Sequence, residues 1–130
     1  MVRAIIAVLG TKKSGKTRVI TYLTQFLKQR YKILCIKHSC EPNFDIDIPG
    51  KDSWRMKEAG ADTVVITSDK KTAIISDSGK IDPIRIIDYL EALLNIRYDI
   101  VFIEGFSRIL LYDDKAVSYT HLTLPTTERV

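Results

Sequence analysis

An α/β fold with a mostly parallel sheet is predicted for this chain by three observations. Short apolar runs alternate with stretches of helical periodicity; the first run passes directly into a glycine-rich turn; and a late apolar run ends in an acid followed by glycine. The glycine-rich turn, Gly10-Thr11-Lys12-Lys13-Ser14-Gly15-Lys16-Thr17, fills every position of the phosphate-loop pattern GxxxxGK[ST], with a strand before it and a helix after it. The expected architecture is therefore a three-layer α/β/α sandwich of the phosphate-loop NTPase type.

Each element has its own signal. Ala4 to Leu9 is a buried strand by its unbroken apolar character. Val19, Ile20, Leu23, Phe26 and Leu27 then recur on one helical face, predicting a helix from about Gly15 to Gln29. Ile33 to Ile36 reads as a second buried strand, with Cys35 in the core. Thr63–Thr67 and Thr72–Ser76 are strands joined at Asp69-Lys70-Lys71, a spacing that fits a hairpin. Asp82-Pro83 caps and opens a helix whose buried stripe is Ile84, Ile87, Leu90, Leu93 and Leu94, ending near Asn95. Ile100 to Ile103 is the last clear strand, and it runs into Glu104 and Gly105. At 130 residues the chain is long enough for one domain, which implies a single sheet with its helices. No internal repeat or linker interrupts it.

The phosphate loop suits a triphosphate because a glycine-rich turn aims successive backbone N–H groups into one small volume. Gly10 and Gly15 supply the freedom; Thr11, Lys12, Lys13 and Ser14 fill the variable positions; Lys16 reaches the terminal phosphates; and the Thr17 hydroxyl serves Mg²⁺ while the helix adds its dipole. An acid at the carboxyl end of a parallel strand emerges at the same sheet edge as the loop. Glu104 is thus a candidate to hold Mg²⁺ or to orient an attacking water, and it is the one candidate catalytic residue.

Charge distribution agrees. The net charge is only +4, yet residues 1–40 hold nine Lys or Arg and no acid. Basic charge gathered around the loop favours a polyphosphate ligand. Nucleic acid is not expected, because neither an aromatic stacking platform nor a groove-reading helix accompanies the charge. Two cysteines make no disulfide framework, and His38 with Cys40 falls short of a structural zinc set. No stretch approaches the length of a membrane span, and Met1 to Leu9 runs straight into the loop with no secretion signal, so a cytoplasmic location is expected.

Between the second strand and the hairpin, Phe44 to Arg55 interleaves Asp45, Asp47 and Asp52 with Lys51 and Arg55. One reading makes this a loop entering a short helix, with Asp52 favouring the helix dipole and Gly60 ending it. The other makes it a switch-like loop whose carboxylates reach Mg²⁺ and whose Lys51 or Arg55 meets a phosphate.

Ile36-Lys37-His38, Phe44-Asp45-Ile46-Asp47, Pro49-Gly50-Lys51-Asp52-Ser53-Trp54-Arg55, Ala59-Gly60-Ala61 and Ile103-Glu104-Gly105-Phe106, in this order after the phosphate loop, resemble the molybdopterin-guanine dinucleotide biosynthesis protein B family over roughly residues 4–108. The resemblance implies a dimeric GTP-binding adaptor, at most a weak GTPase, that assists attachment of GMP to molybdopterin. Its implied partners are the molybdenum cofactor guanylyltransferase and molybdoenzymes, with molybdopterin as a further bound ligand. Carried onto this chain, it assigns nucleotide phosphates to Gly10 through Thr17, metal or switch duties to Thr17, Asp45, Asp47 and Glu104, and the second motif to Lys51, Asp52 and Arg55.

The chain departs from the family in two places. Ser39-Cys40-Glu41-Pro42-Asn43 stands where many members carry paired histidines, so roles of those histidines do not transfer. Ser118 to Val130 has no hydrophobic period and resembles translated adaptor sequence, against the alternative of a native disordered terminus. The expected organisation is a nucleotide-binding domain over residues 1–117, incomplete at its C-terminus and open at a sheet edge, and an unstructured or foreign tail over 118–130. The rival function is a small phosphate-loop kinase or ATPase, which would need lid arginines; only Arg108 follows Glu104 before the tail.

Overall fold

The computed structural model describes residues 3–9, 15–39, 41, 43–44, 46–105 and 117–123. The chain divides into two compact units, one formed by residues 1–40 and 82–130 and the other by residues 41–81.

In the first unit, β1 (Arg3–Leu9), β2 (Ile33–Lys37), β5 (Ile100–Glu104) and β6 (Val117–Thr123) form an all-parallel sheet in the order β2-β5-β1-β6. Helices α1 (Lys16–Leu27) and α3 (Pro83–Leu94) cover its two faces. Strand alternation decides which side chains meet which helix. On the α3 face, Ile5, Ile36, Val101 and Ile103 pack with Ile87 and Tyr98. On the α1 face, Val8, Ile100 and Phe102 pack with Ile20, flanked by Leu23 and Leu27. Being covered on both sides, β5 is buried along its whole length, which is why it reads as an unbroken apolar run.

The helix ends follow local chemistry. Asp82 caps α3, its Oδ1 accepting from the Ile84 N–H at 2.8 Å, and Pro83 opens the first turn. Asn95 ends the helix in the left-handed conformation at φ 53°.

In the second unit, Pro49 and Gly50 form a turn closed by the Lys51 N–H on the Ile48 carbonyl at 3.2 Å, with Gly50 at φ +91°. That turn feeds α2 (Asp52–Glu58), with Asp52 in the first turn. Strands β3 (Thr63–Thr67) and β4 (Thr72–Ser76) pair antiparallel as the expected hairpin.

Four expectations are corrected. The single sheet is in fact two, because the hairpin pairs only with itself. The β1 edge that was expected to be open is occupied by strand β6 (Val117–Thr123), which overlaps the 118–130 segment expected to be unstructured or foreign. The reason is backbone demand: an unpaired edge offers a row of N–H and C=O groups, and a segment containing Val117, Tyr119, Thr120 and Thr123 has the composition to add to it. Cys35 is exposed rather than core, because β2 is an outer strand of the sheet, and the Cys35 Sγ lies 3.9 Å from the Thr24 hydroxyl. Phe26 and Leu93, counted in the buried stripes, are 76% and 61% exposed. Each sits about a quarter turn from the line its helix lays on the sheet. Leu94, in the last turn of α3, is exposed as well.

Candidate functional site

Parity along β5 builds the site. Ile100 and Phe102 face α1, so Glu104, two residues further, faces α1 as well, at the carboxyl end of the strand. Parallel register sets Glu104 level with Val8 on β1, two residues before the phosphate loop begins. At the end of β1 the chain turns into α1, whose N-cap Gly15 stands at φ +91°, a conformation that glycine adopts without strain. Lys16 and Thr17 are the first residues of the helix.

These constraints bring Thr17 onto Glu104. The Thr17 hydroxyl donates to Glu104 Oε1 at 2.9 Å and lies 3.2 Å from Oε2, across 87 residues of sequence. Glu104 is 8% exposed and is the buried charged residue among those described. Burial of a carboxylate is costly unless it gains partners, and the bond to Thr17 offsets part of that cost. No acidic residue lies in the first turn of α1, so no side chain of the helix itself offsets the positive end of its dipole.

A second contact fixes the strand that carries the acid. The His38 N–H donates to the Glu104 carbonyl at 2.9 Å, and Gly105 follows at φ +90°. A Cβ built on Gly105 would collide with the His38 carbonyl oxygen. Glycine is therefore required twice here, for its backbone conformation and for the close approach of the β2 end. The backbone of His38 thereby has a positioning role. The Glu104-Gly105 dipeptide was the available signal, since a glycine directly after a strand-terminal acid marks a tight approach.

Asp47, Lys51, Asp52 and Arg55 belong to the second unit, while Gly10, Thr11, Lys12, Lys13, Ser14 and Asp45 lie outside the described residues. Lys51 is the N-cap of α2, Asp52 lies in its first turn and Arg55 in its last. Asp47 Oδ1 accepts from the Ile48 N–H at 2.9 Å, whereas its Oδ2 is buried with no hydrogen-bond partner among the described residues.

No cluster of three or more His, Cys, Asp or Glu side chains with metal-binding geometry occurs among the described residues. The donors that do converge, a hydroxyl and a carboxylate, are hard oxygens. That set fits Mg²⁺, which takes few protein oxygens and completes its shell with phosphate oxygens and water. Among the described residues, no helix is long and apolar enough to cross a membrane.

A family model for molybdopterin guanine dinucleotide synthesis protein B (MobB) matches residues 5–113. The chain is 37% identical over 106 residues to the molybdopterin-guanine dinucleotide biosynthesis adapter protein of Haemophilus influenzae, a match covering 80% of this chain and 57% of that protein. Among solved structures, molybdopterin-guanine biosynthesis protein B aligns with a TM-score of 0.52 at 31% identity, covering 79% of this chain and 61% of the other. Bacillus subtilis MobB aligns with a TM-score of 0.65 at 22% identity over 94% of this chain and 87% of its own, a likeness of fold.

Proposed function

Because this chain belongs to the molybdopterin guanine dinucleotide synthesis protein B family, we propose that it binds GTP with Mg²⁺ where α1 begins and acts as an adaptor in joining the guanine nucleotide to molybdopterin. The observation that carries this reading is the hydrogen bond from Thr17 to Glu104. It joins the last residue of the phosphate-loop pattern to the acid that closes β5, which supports a nucleotide site at that sheet edge.

In this reading backbone N–H groups from Gly10 to Thr17 cradle the phosphates, and Lys16 neutralises the terminal ones. Thr17 and Glu104 would hold Mg²⁺, which supplies charge neutralisation at the phosphates. Glu104 also accepts a hydrogen bond from a water directed at the terminal phosphate, which permits at most slow hydrolysis. The Asp47 oxygen that has no partner among the described residues supports a metal or switch role for that residue, shared with Asp45, and Lys51, Asp52 and Arg55 form the accompanying polar motif. A dimeric state, a cytoplasmic location, molybdopterin as a further ligand, and the guanylyltransferase and molybdoenzymes as partners belong to the same proposal. The chain spans 57% of the length of its Haemophilus relative.

Calorimetric titration of GTP, ATP and molybdopterin with and without Mg²⁺ tests it. Lys16→Ala is expected to weaken GTP binding by roughly ten- to a hundredfold, the worth of one charge-assisted contact. Glu104→Gln should retain Mg²⁺-free GTP binding and lose the gain that Mg²⁺ gives. Unchanged GTP affinity in Lys16→Ala would remove the site assignment, and rapid phosphoryl transfer to a small acceptor would favour a kinase.

A further inference from the structure

Lys37 is the last residue of β2 and lies level with Glu104 in the parallel register. Alternation fixes its face. Ile33 packs in the α1-side cluster and Cys35 Sγ lies 3.9 Å from the Thr24 hydroxyl of α1, so Lys37 emerges on that same face. Val8, Glu104 and Lys37 thus form one row across β1, β5 and β2 at the carboxyl edge of the sheet. Lys37 is exposed and makes no ion pair with Glu104, whose carboxylate engages Thr17. Lys37 and Glu104 are thus register neighbours at the sheet edge, and the acid does not engage the lysine.

Resting on the nucleotide-site reading above, we propose that Lys37 contacts the terminal phosphate of a nucleoside triphosphate and so sets the preference for triphosphate over diphosphate. Position along the sheet edge carries the assignment. Adjacent strands stand about 4.8 Å apart, which puts Lys37 roughly 10 Å from β1. Phosphates nearest the nucleoside are cradled at the junction of β1 and α1, beyond the reach expected of Lys37. Only the outermost phosphate extends over β5 toward Thr17 and Glu104, and the four-carbon stem of a lysine spans the one remaining strand gap. The ammonium would also offset the charge that accumulates when a dianionic terminal phosphate approaches the Glu104 carboxylate.

Titration of Mg²⁺-GTP and Mg²⁺-GDP into wild type, Lys37→Met and Lys37→Arg decides it. Lys37→Met is expected to weaken GTP by about tenfold or more and to leave GDP within about twofold, with Lys37→Arg recovering most of the loss. GDP binding reports in the same experiment that the variant is folded. An equal loss for both nucleotides, or a GTP to GDP ratio unchanged in Lys37→Met, would overturn the assignment of Lys37 and leave the nucleotide site standing. Wild-type protein that binds neither nucleotide would overturn the site reading itself, and the Lys37 proposal with it.

Discussion

The two units of this chain carry motif residues on very different supports. In the first, β5 is buried throughout and two apolar clusters clamp it from opposite faces, so Glu104 is presented by one of the most constrained strands in the molecule. In the second, Val64 is the buried hydrophobic residue among those described, while Val65, Ile66 and Ile74 on the same hairpin are exposed. Its cohesion comes instead from polar fastenings. Lys57 donates to the Ala61 carbonyl at 2.9 Å and pairs with Asp77, while Thr63–Ser76 and Thr67–Thr72 hydroxyl contacts of 2.9 and 2.8 Å link the two strands. An isolated two-stranded hairpin is marginal in water. The difference teaches that Glu104 is held in place by packing on both faces of β5, whereas Lys51, Asp52 and Arg55 sit on a unit with fewer buried apolar side chains and so of lower local stability.

The contrast breaks most sharply at Phe102, which is fully buried between the sheet and α1. Phe102→Ala removes a large core side chain and is expected to cost about 3–5 kcal/mol, read as a lowered denaturant midpoint. A loss under 1 kcal/mol would show that the first unit is not held by its core.

A smaller effect is expected at Gly105. Gly105→Ala must relieve both the strain of φ +90° and the collision with the His38 carbonyl, at a cost of roughly 1–3 kcal/mol. Because the displacement falls beside Glu104, Mg²⁺-dependent nucleotide affinity should drop with it. Stability that falls while the Mg²⁺ dependence stays intact would separate Gly105 from the site.

Lys57 gives the mildest and most local test. Its side chain is mostly buried and serves the Ala61 and Asp62 carbonyls as well as Asp77. Lys57→Met should cost about 1 kcal/mol, since Asp77 is exposed and its pairing is screened by water. Amide hydrogen exchange should rise across β3 and β4 while β1 and β5 keep their protection. Equal acceleration in both units would mean that they unfold together.

Much of this was readable in advance for a definite reason. The hairpin, the Asp82 cap, the Asn95 stop and the strand ending at Glu104 each depend on neighbours a few residues away, and local chemistry is written locally. The exposure of Cys35, Phe26 and Leu93 was not readable, because periodicity names a face without saying how far the covering layer extends. The split into two sheets and the addition of β6 to β1 were equally hidden, since strand pairing partners are chosen by edges available in three dimensions.

By itself, then, the sequence determined the elements from β1 to β5, the phosphate-loop pattern and the acid at the end of β5. The tertiary structure alone decided that the Thr17 hydroxyl meets Glu104, that Gly105 is pressed against His38 and that Lys37 completes the row. Those three relations join residues far apart in the chain. Parallel register and face parity set them, and both exist only once the strands are side by side.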